Sequence, residues 1–432
     1  MVHAFKSGSR AAGRSGGWRA GLAVLAAVLA TGAVGTLPGC SAGSRSFAPE
    51  STVASTFRHV VMHQSPEHFG HADDGWVAPT AADWPVLPAG SGPLTHCYQS
   101  QVLEAGLRFD EALVSWNLSV PSGAAAAVEI RVAEAGKGAA WSPWMFVGDW
   151  TGTRPGAGGM TTITSPVVKS AGGKIDVDYF VAAKGKTFGQ LQYRVLVFSA
   201  ATAADASPVS IARMTVCLMD TSAADAHWAR QDALRVATPR QGVPVGTDRS
   251  AAPARAAEPA RVELAVPLRS QKTERPEIAG RICSPTSVAM VLGAYGIDRP
   301  VLEIAEAAFD ARHDLYGNWP RNVQTAYSRG VPGYLTRLTS WREVEDLLNL
   351  GWPVIISIQT KPGELRGAPY KETDGHLIVI RGIDAAGNIL VNDPAASEPE
   401  KAALTYYRDD MTAVWLKRTL GTAYVLQRPI QP

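Results

Sequence analysis

Gly280-Arg-Ile-Cys283-Ser-Pro-Thr-Ser-Val-Ala-Met-Val-Leu-Gly-Ala294 decides how the chain is read. A lone cysteine stands directly before Ser284-Pro285, and an apolar helical pattern follows. Proline suits a first helical turn, where its missing N–H would have no partner anyway. Val288, Val291, Leu292 and Tyr295 recur at helical spacing, so one face of the predicted helix is buried. Cys283 therefore falls at or next to the N-cap of a core helix. The dipole and the unpaired N–H groups there favour a thiolate over a thiol. The same N–H groups can hold an oxyanion. The competing reading is a small buried cysteine at a helix start, because free cysteine is among the most buried residue types.

A cysteine nucleophile needs a base within hydrogen-bond reach and a group to orient that base. Asp374-Gly-His376 puts a histidine at the first residue of an apolar predicted strand, His376 to Ile383. Asn392-Asp393-Pro394 closes the next strand, joined to the first through the turn Asp384-Ala-Ala-Gly387. An antiparallel hairpin sets the start of one strand beside the end of the next, so His376 and Asp393 are expected to be neighbours. Of the other histidines, His313 lies in a polar loop and the rest precede residue 261.

Around this pair, Arg261 to Val266 reads as a strand, Val301 to Phe309 as a helix and Pro353 to Ile358 as a strand. Ser340-Trp-Arg-Glu343 is a capping box opening a helix that ends at Gly351. Tyr424 to Gln427 reads as a last strand. This order predicts an α+β domain over residues 261–432, with the helices on one side of an antiparallel sheet.

Upstream, residues 57–220 read mostly as strands. Leu107 to Leu118 carries two apolar segments, and residues 127–132 and 192–198 alternate with period two. Gly, Pro and Ser clusters divide them, which predicts a β-sandwich. Trp141, Trp144 and Trp150 cluster around one strand; such aromatics either pack or bind sugar. Residues 221–260 are rich in Ala, Arg and Pro and read as a linker, with a short helix near residues 223–236.

The chain has 432 residues, 46% hydrophobic and 19% charged, with a net charge of +2. That balance provides no basic footprint for nucleic acid. Residues 1–20 are basic, and residues 21–34 form an apolar run too short for a comfortable membrane span. Leu37-Pro-Gly-Cys40 then resembles a bacterial lipobox. The basic, apolar and small-residue order predicts a signal peptide over residues 1–39, the lipobox resemblance implies a lipid on Cys40, and residues 40–56 read as a tether.

The C-terminal stretch from about Val262 to Gln427 resembles the papain-like cysteine peptidases of the bacteriocin-processing family, family thirty-nine of the cysteine peptidases, in a stand-alone form. Its marks are Val266-Pro-Leu-Arg-Ser-Gln271, the Cys283 helix, Gly317-Asn-Trp-Pro-Arg-Asn322, the Asp374-Gly-His376 strand and Val391-Asn-Asp-Pro394. The resemblance implies Cys283 as nucleophile, His376 as general base and later acid, and Asp393 as its orienting group. It makes Gln271 the side-chain oxyanion donor, beside the Cys283 backbone N–H, and places Trp319 and Asn322 at the cleft. Ser284 stands where the family often has Gly. No cofactor or metal is implied.

With Cys40 assigned to lipid and Cys283 to catalysis, Cys97 and Cys217 are expected to form a disulfide between the first and last strands of the sandwich in an exported chain. The whole reads as an extracytoplasmic, lipid-anchored cysteine peptidase acting on peptide or protein. Two alternatives are open: a cell-surface binding protein that holds a glycan or protein on its sandwich and carries a degenerate papain-like domain, and an acyl transferase using the same thioester chemistry.

Overall fold

A computed structural model describes residues 57–64, 94–136, 138–152, 170, 172–199, 209–237 and 262–429. The expected signal peptide, Cys40 and the tether lie outside the described residues, as does the later part of the expected linker.

The N-terminal region is β-rich. In chain order it contains β1 (Arg58–His63), β2 (Leu94–Gln99), β3 (Leu103–Phe109), β4 (Glu111–Ser119), β5 (Ala124–Ala133), β6 (Met145–Thr151), β7 (Gly173–Asp176), β8 (Tyr179–Ala182), β9 (Phe188–Ser199) and β10 (Ser210–Met219). One five-stranded sheet runs β1-β10-β4-β8-β7; the other runs β2-β9-β5-β6, with β3 also on β9. Period-two alternation sends Ala112, Val114, Trp116 and Leu118 of β4 and Met214, Val216 and Leu218 of β10 into one core with Val128, Ile130, Tyr193 and Val195 of the other sheet. Trp116 fills its place because residue 148 is glycine: a Cβ there would stand 2.8 Å from the indole.

The alternate residues of the same strands face outward, and this overturns the expected disulfide. Cys217 is a free thiol. It points from β10 into the core of the C-terminal domain, whereas Cys97 packs with Ala125, Ala127, Leu196 and Phe198 on the outer face of the second sheet. Both cysteines turn their backs on the shared core, so no bridge can join them. The two cysteine strands also belong to different sheets: Cys97 is on β2, which pairs with β9, whereas β10 pairs with β1 and β4. Near the same outer face, Arg131 lies 4.7 Å from the Trp141 ring and 4.6 Å from Trp144, and Arg194 lies 4.5 Å from Trp144. These indoles are engaged by guanidinium groups instead of being displayed as an open platform.

The first part of the expected linker is α1 (Thr221–Ala237). Trp228 packs it against the C-terminal core, and Asp232 pairs with Lys417.

The C-terminal domain holds β11 (Val262–Glu263), α2 (Cys283–Ala294), α3 (Val301–Ala308), α4 (Trp319–Tyr327), β12 (Gly333–Arg337), α5 (Trp341–Asn349), β13 (Val354–Thr360), β14 (Thr373–Ile383), β15 (Ile389–Asn392), β16 (Ala403–Tyr406), α6 (Arg408–Met411) and β17 (Thr422–Leu426). The antiparallel sheet runs β12-β17-β13-β14-β15-β16, with β11 on β14. β11 is far shorter than the predicted strand. Half of the capping box forms: Ser340 Oγ accepts from Glu343 N at 3.4 Å, while Glu343 Oε1 reaches one residue further back and accepts from Thr339 N at 3.1 Å.

Helices lie on both faces of this sheet, not on one. Ile355, Leu377, Val379 and Tyr424 meet the residues of α2, α3 and α4. Val354, Ile356, Ile378 and Ile380 meet α5 and residues 411–416 on the other side. β13 and β14 are apolar on both faces, which is the pattern of a strand covered twice.

The described residues all belong to one compact unit. The outward residues of β4 dock on the C-terminal domain. Ser115 Oγ accepts from Leu335 N at 2.9 Å, and Asn117 Oδ1 accepts from Gly333 N at 3.1 Å. Gln324 completes both backbone groups of Leu118, each at 2.8 Å. Arg337 reaches Glu111 at 2.5 Å, with both side chains buried. Buried polar groups need partners, and here each domain supplies them to the other.

Candidate active site

Cys283 is the first residue of α2, after an Ile282 cap that offers no side-chain hydrogen bond. The free N–H groups of that turn therefore stay available to the residue that opens it. His376 and the backbone N–H groups of Ser284 and Leu377 lie close enough to the Cys283 sulfur to act on its ionisation. One turn on, Ser287 Oγ donates to Leu377 O at 3.1 Å, which ties the helix to the strand that carries His376.

His376 sits on β14, and Asp393 follows the end of β15. The register pairs Val379 with Asn392 and Ile380 with Val391. Continued past Asn392, it sets Asp393 opposite Ile378, diagonal to His376 on the same face, within reach of a long side chain. His376 Nε2 donates to Asp393 Oδ1 at 2.7 Å. Nδ1 is then the nitrogen left for the Cys283 sulfur. The imidazole is 6% exposed and the carboxylate 0%, while Cys283 is half-buried.

Burial pushes the Cys283 thiol up, but the His376 hydrogen bond and charge outweigh it and the thiol is lowered. Burial pushes His376 down; the Asp393 charge and hydrogen bond and the contact with Cys283 raise it to about 10. Asp393 is lowered, the His376 charge overcoming its burial. All three directions favour a thiolate, an imidazolium and a carboxylate.

Residues 263–421 match the model of the peptidase C39 like family.

The C-terminal domain is similar to that family over those residues.

Residues 95–217 match a second model, the peptidase C39 N-terminal domain. Among solved structures, this chain is similar over part of its length to a double glycine motif protease from an AMS/PCAT transporter, solved in complex with the leader peptide. The identity is 19%, covering 39% of this chain and 96% of that one, with a TM-score of 0.27. It is also similar to a putative C39-like peptidase from Bacillus anthracis, at 18% identity over 40% of this chain and 99% of that one, with a TM-score of 0.30. No curated protein matches the chain.

The remaining expected residues divide. Gln271 is 3% exposed and lies in a segment tied to the Asp393 turn. Its backbone N–H donates to Pro394 O at 2.9 Å, and Asn392 Nδ2 donates to Val266 O at 3.1 Å. Gln271 Nε2 donates to Ala279 O at 2.8 Å. An amide nitrogen carries two hydrogens, so one remains. Asn322 does not line a cleft. It is fully buried, and its amide donates to Tyr316 O at 2.8 Å and Asn318 O at 2.7 Å, closing the loop before α4. Trp319 is half-buried and stacks on Tyr179 of the N-terminal region, ring centroids 5.6 Å apart. Ser284 is fully buried, its hydroxyl 2.9 Å from Tyr424 Oη.

The sequence reading missed two residues that complete the site. Tyr370 and Tyr406 hydroxyls each donate to Asp393 Oδ2 at 2.9 Å, and Ala395 N donates to Oδ1 at 2.9 Å. With His376, the carboxylate has four donors, which hold it ionised in a buried place. The Tyr370 ring also meets the His376 ring edge-on, 5.0 Å between centroids. No local signal marks either tyrosine. Tyr406 comes from a strand two places along the sheet from β14, and Tyr370 from the loop before it.

Proposed function

We propose that this chain is an exported cysteine peptidase, anchored through Cys40 and hydrolysing peptide bonds through a thioester on Cys283. One observation carries the reading: a half-buried thiol at a helix start, an imidazole close enough to lower it, and a buried carboxylate bonded to that imidazole. A structural cysteine needs neither partner. In this reading the domain is papain-like, and the two-sheet region is a β-sandwich accessory module.

The Cys283 thiolate attacks a peptide carbonyl carbon and forms a C–S bond. The carbonyl oxygen becomes an oxyanion, held by the Cys283 backbone N–H and the remaining Gln271 amide hydrogen. The His376 imidazolium gives its proton to the leaving amine as the C–N bond breaks. His376, now neutral, takes a proton from water; the hydroxide attacks the thioester, the acid leaves and the thiolate returns. Asp393 holds the ring orientation throughout.

A peptide-library screen of the wild type beside Cys283→Ala is the direct test. Cleavage by the wild type alone is expected; equal behaviour of the two proteins would remove the peptidase reading. The anchor is checked on the same cells. Mass spectrometry of the membrane fraction should show an N-terminal peptide beginning at lipid-modified Cys40, and a soluble product with Cys40 unmodified would rule the anchor out.

A further inference from the structure

The N-terminal region sends one hairpin toward the cysteine site. β7 and β8 pair with Asp176 opposite Tyr179, leaving Val177-Asp178 as the turn. Val177 sits at φ 68°, a conformation a β-branched residue rarely adopts. Strain of this kind persists where the surroundings fix the backbone, and here they fix it on both sides of the turn. Asp178 is 5% exposed, and its Oδ2 accepts the backbone N–H of Trp319 at 2.6 Å. Trp319 opens α4, so the carboxylate meets the positive end of that helix. Tyr179 follows and stacks on the Trp319 ring with an interplanar angle of 18°.

That helix end is not remote from the nucleophile. α4 packs on α2, the helix that Cys283 opens. Cys283, Tyr179, Tyr316 and Trp319 all border the same core as Tyr424. The Tyr424 hydroxyl bonds Ser284, next to the nucleophile, and lies within electrostatic reach of both Asp178 and Cys283.

We infer that the Val177–Tyr179 hairpin tip is a working part of the cysteine site, with Asp178 a positioning residue that sets the first turn of α4 and Tyr179 the ring that holds Trp319 in place. The C39-like domain then depends on the N-terminal region for the geometry around Cys283, not only for stability. Burial pushes the Asp178 carboxyl up to about 7, partly offset by the Trp319 N–H. Among the described residues this buried carboxyl stands where the hairpin tip meets the helix that packs on the Cys283 helix. The inference rests on the peptidase reading, because it assigns the hairpin a role only if Cys283 is an activated thiol.

The test uses the full chain, iodoacetamide at pH 7 as probe, and peptide mapping to separate the cysteines. Cys217 is fully buried between the two regions and reports whether they stay docked. Asp178→Ala and Tyr179→Ala should each slow alkylation of Cys283 on the order of tenfold, in line with the sensitivity of catalytic sites to small misplacements, while Cys217 stays unmodified. Asp178→Asn keeps a carbonyl oxygen for the Trp319 N–H and should return most of the rate. Unchanged Cys283 alkylation in both alanine variants would overturn the inference. So would a loss accompanied by Cys217 alkylation, which means undocking, or a loss that Asp178→Asn does not rescue. If wild-type Cys283 itself reacts as an ordinary thiol, the peptidase reading falls, and the inference with it.

Discussion

Replacing His376 with alanine should slow alkylation of Cys283 at pH 7 on the order of 30-fold, because an ordinary thiol of pKa about 8.5 is only about 3% thiolate there. Burial alone pushes the Cys283 thiol up, and the His376 hydrogen bond and charge are what bring it down. His376 in turn is raised to about 10 against its own burial, chiefly by Asp393. The wild type should therefore alkylate readily through neutral pH and slow only as pH falls below the depressed thiol value. A graded series follows from the same contacts. Asp393→Asn removes the charge that raises His376 and should give an intermediate loss. Tyr370→Phe and Tyr406→Phe each remove one of four donors to Asp393 and should lose least. If the wild type and His376→Ala share one profile near an ordinary thiol pKa, Cys283 is structural.

The same groups set a pH dependence of stability. His376 has a raised folded pKa, so its contribution is full below the unfolded value of about 6.5 and is lost as pH rises toward the folded one. Asp393 has a lowered pKa, so its contribution is present above the unfolded value of about 3.9 and is lost on acidification. Together they contribute most in the mildly acidic range, above about 4 and below about 6.5, and urea unfolding measured across pH should show the loss on either side.

Arg337→Met should destabilise the chain by about 3–5 kcal/mol, the usual loss when one partner of a buried ion pair is removed. Arg337 and Glu111 are 4% and 5% exposed and come from opposite sides of the contact between the two regions. The substitution leaves a carboxylate in an interface that water does not reach. Glu111→Gln added to Arg337→Met removes the stranded charge and should recover most of the loss, since replacing both members of a buried pair is often near neutral. Denaturant unfolding of the three proteins measures this. A single-variant loss below about 1 kcal/mol, in the range of a surface pair, would show that the interface is wet.

Much of the site was legible because its parts are local. A cysteine before Ser-Pro and an apolar 3.6 period placed Cys283 at the start of α2. That His376 and Asp393 are neighbours follows from antiparallel pairing, with no knowledge of the rest of the sheet, although β14 begins three residues before His376 and Asp393 lies just past β15. Asp178, Tyr370 and Tyr406 had no such signal. Each reaches the site from another strand or loop, through contacts between residues 13, 23 and 141 positions apart. Asn322 was placed at the cleft by the family resemblance of its loop alone, whereas the fold buries it with its amide on two backbone carbonyls.

What the sequence determined by itself was the order of elements, the two β-rich and mixed regions, and the helix-and-hairpin placement of Cys283, His376 and Asp393, because all of these follow from short-range periodicity and turn chemistry. Only the tertiary structure decided what lies on the outer face of each sheet. Ser115, Asn117 and Glu111 alternate with the apolar residues of β4 as residues facing water would. Period two separates one face from the other but does not say what covers the second. Docking on β12 buried those side chains, turned Cys217 away from Cys97 and brought Asp178 to the end of α4, because a polar side chain facing out serves a neighbouring backbone as well as it serves solvent.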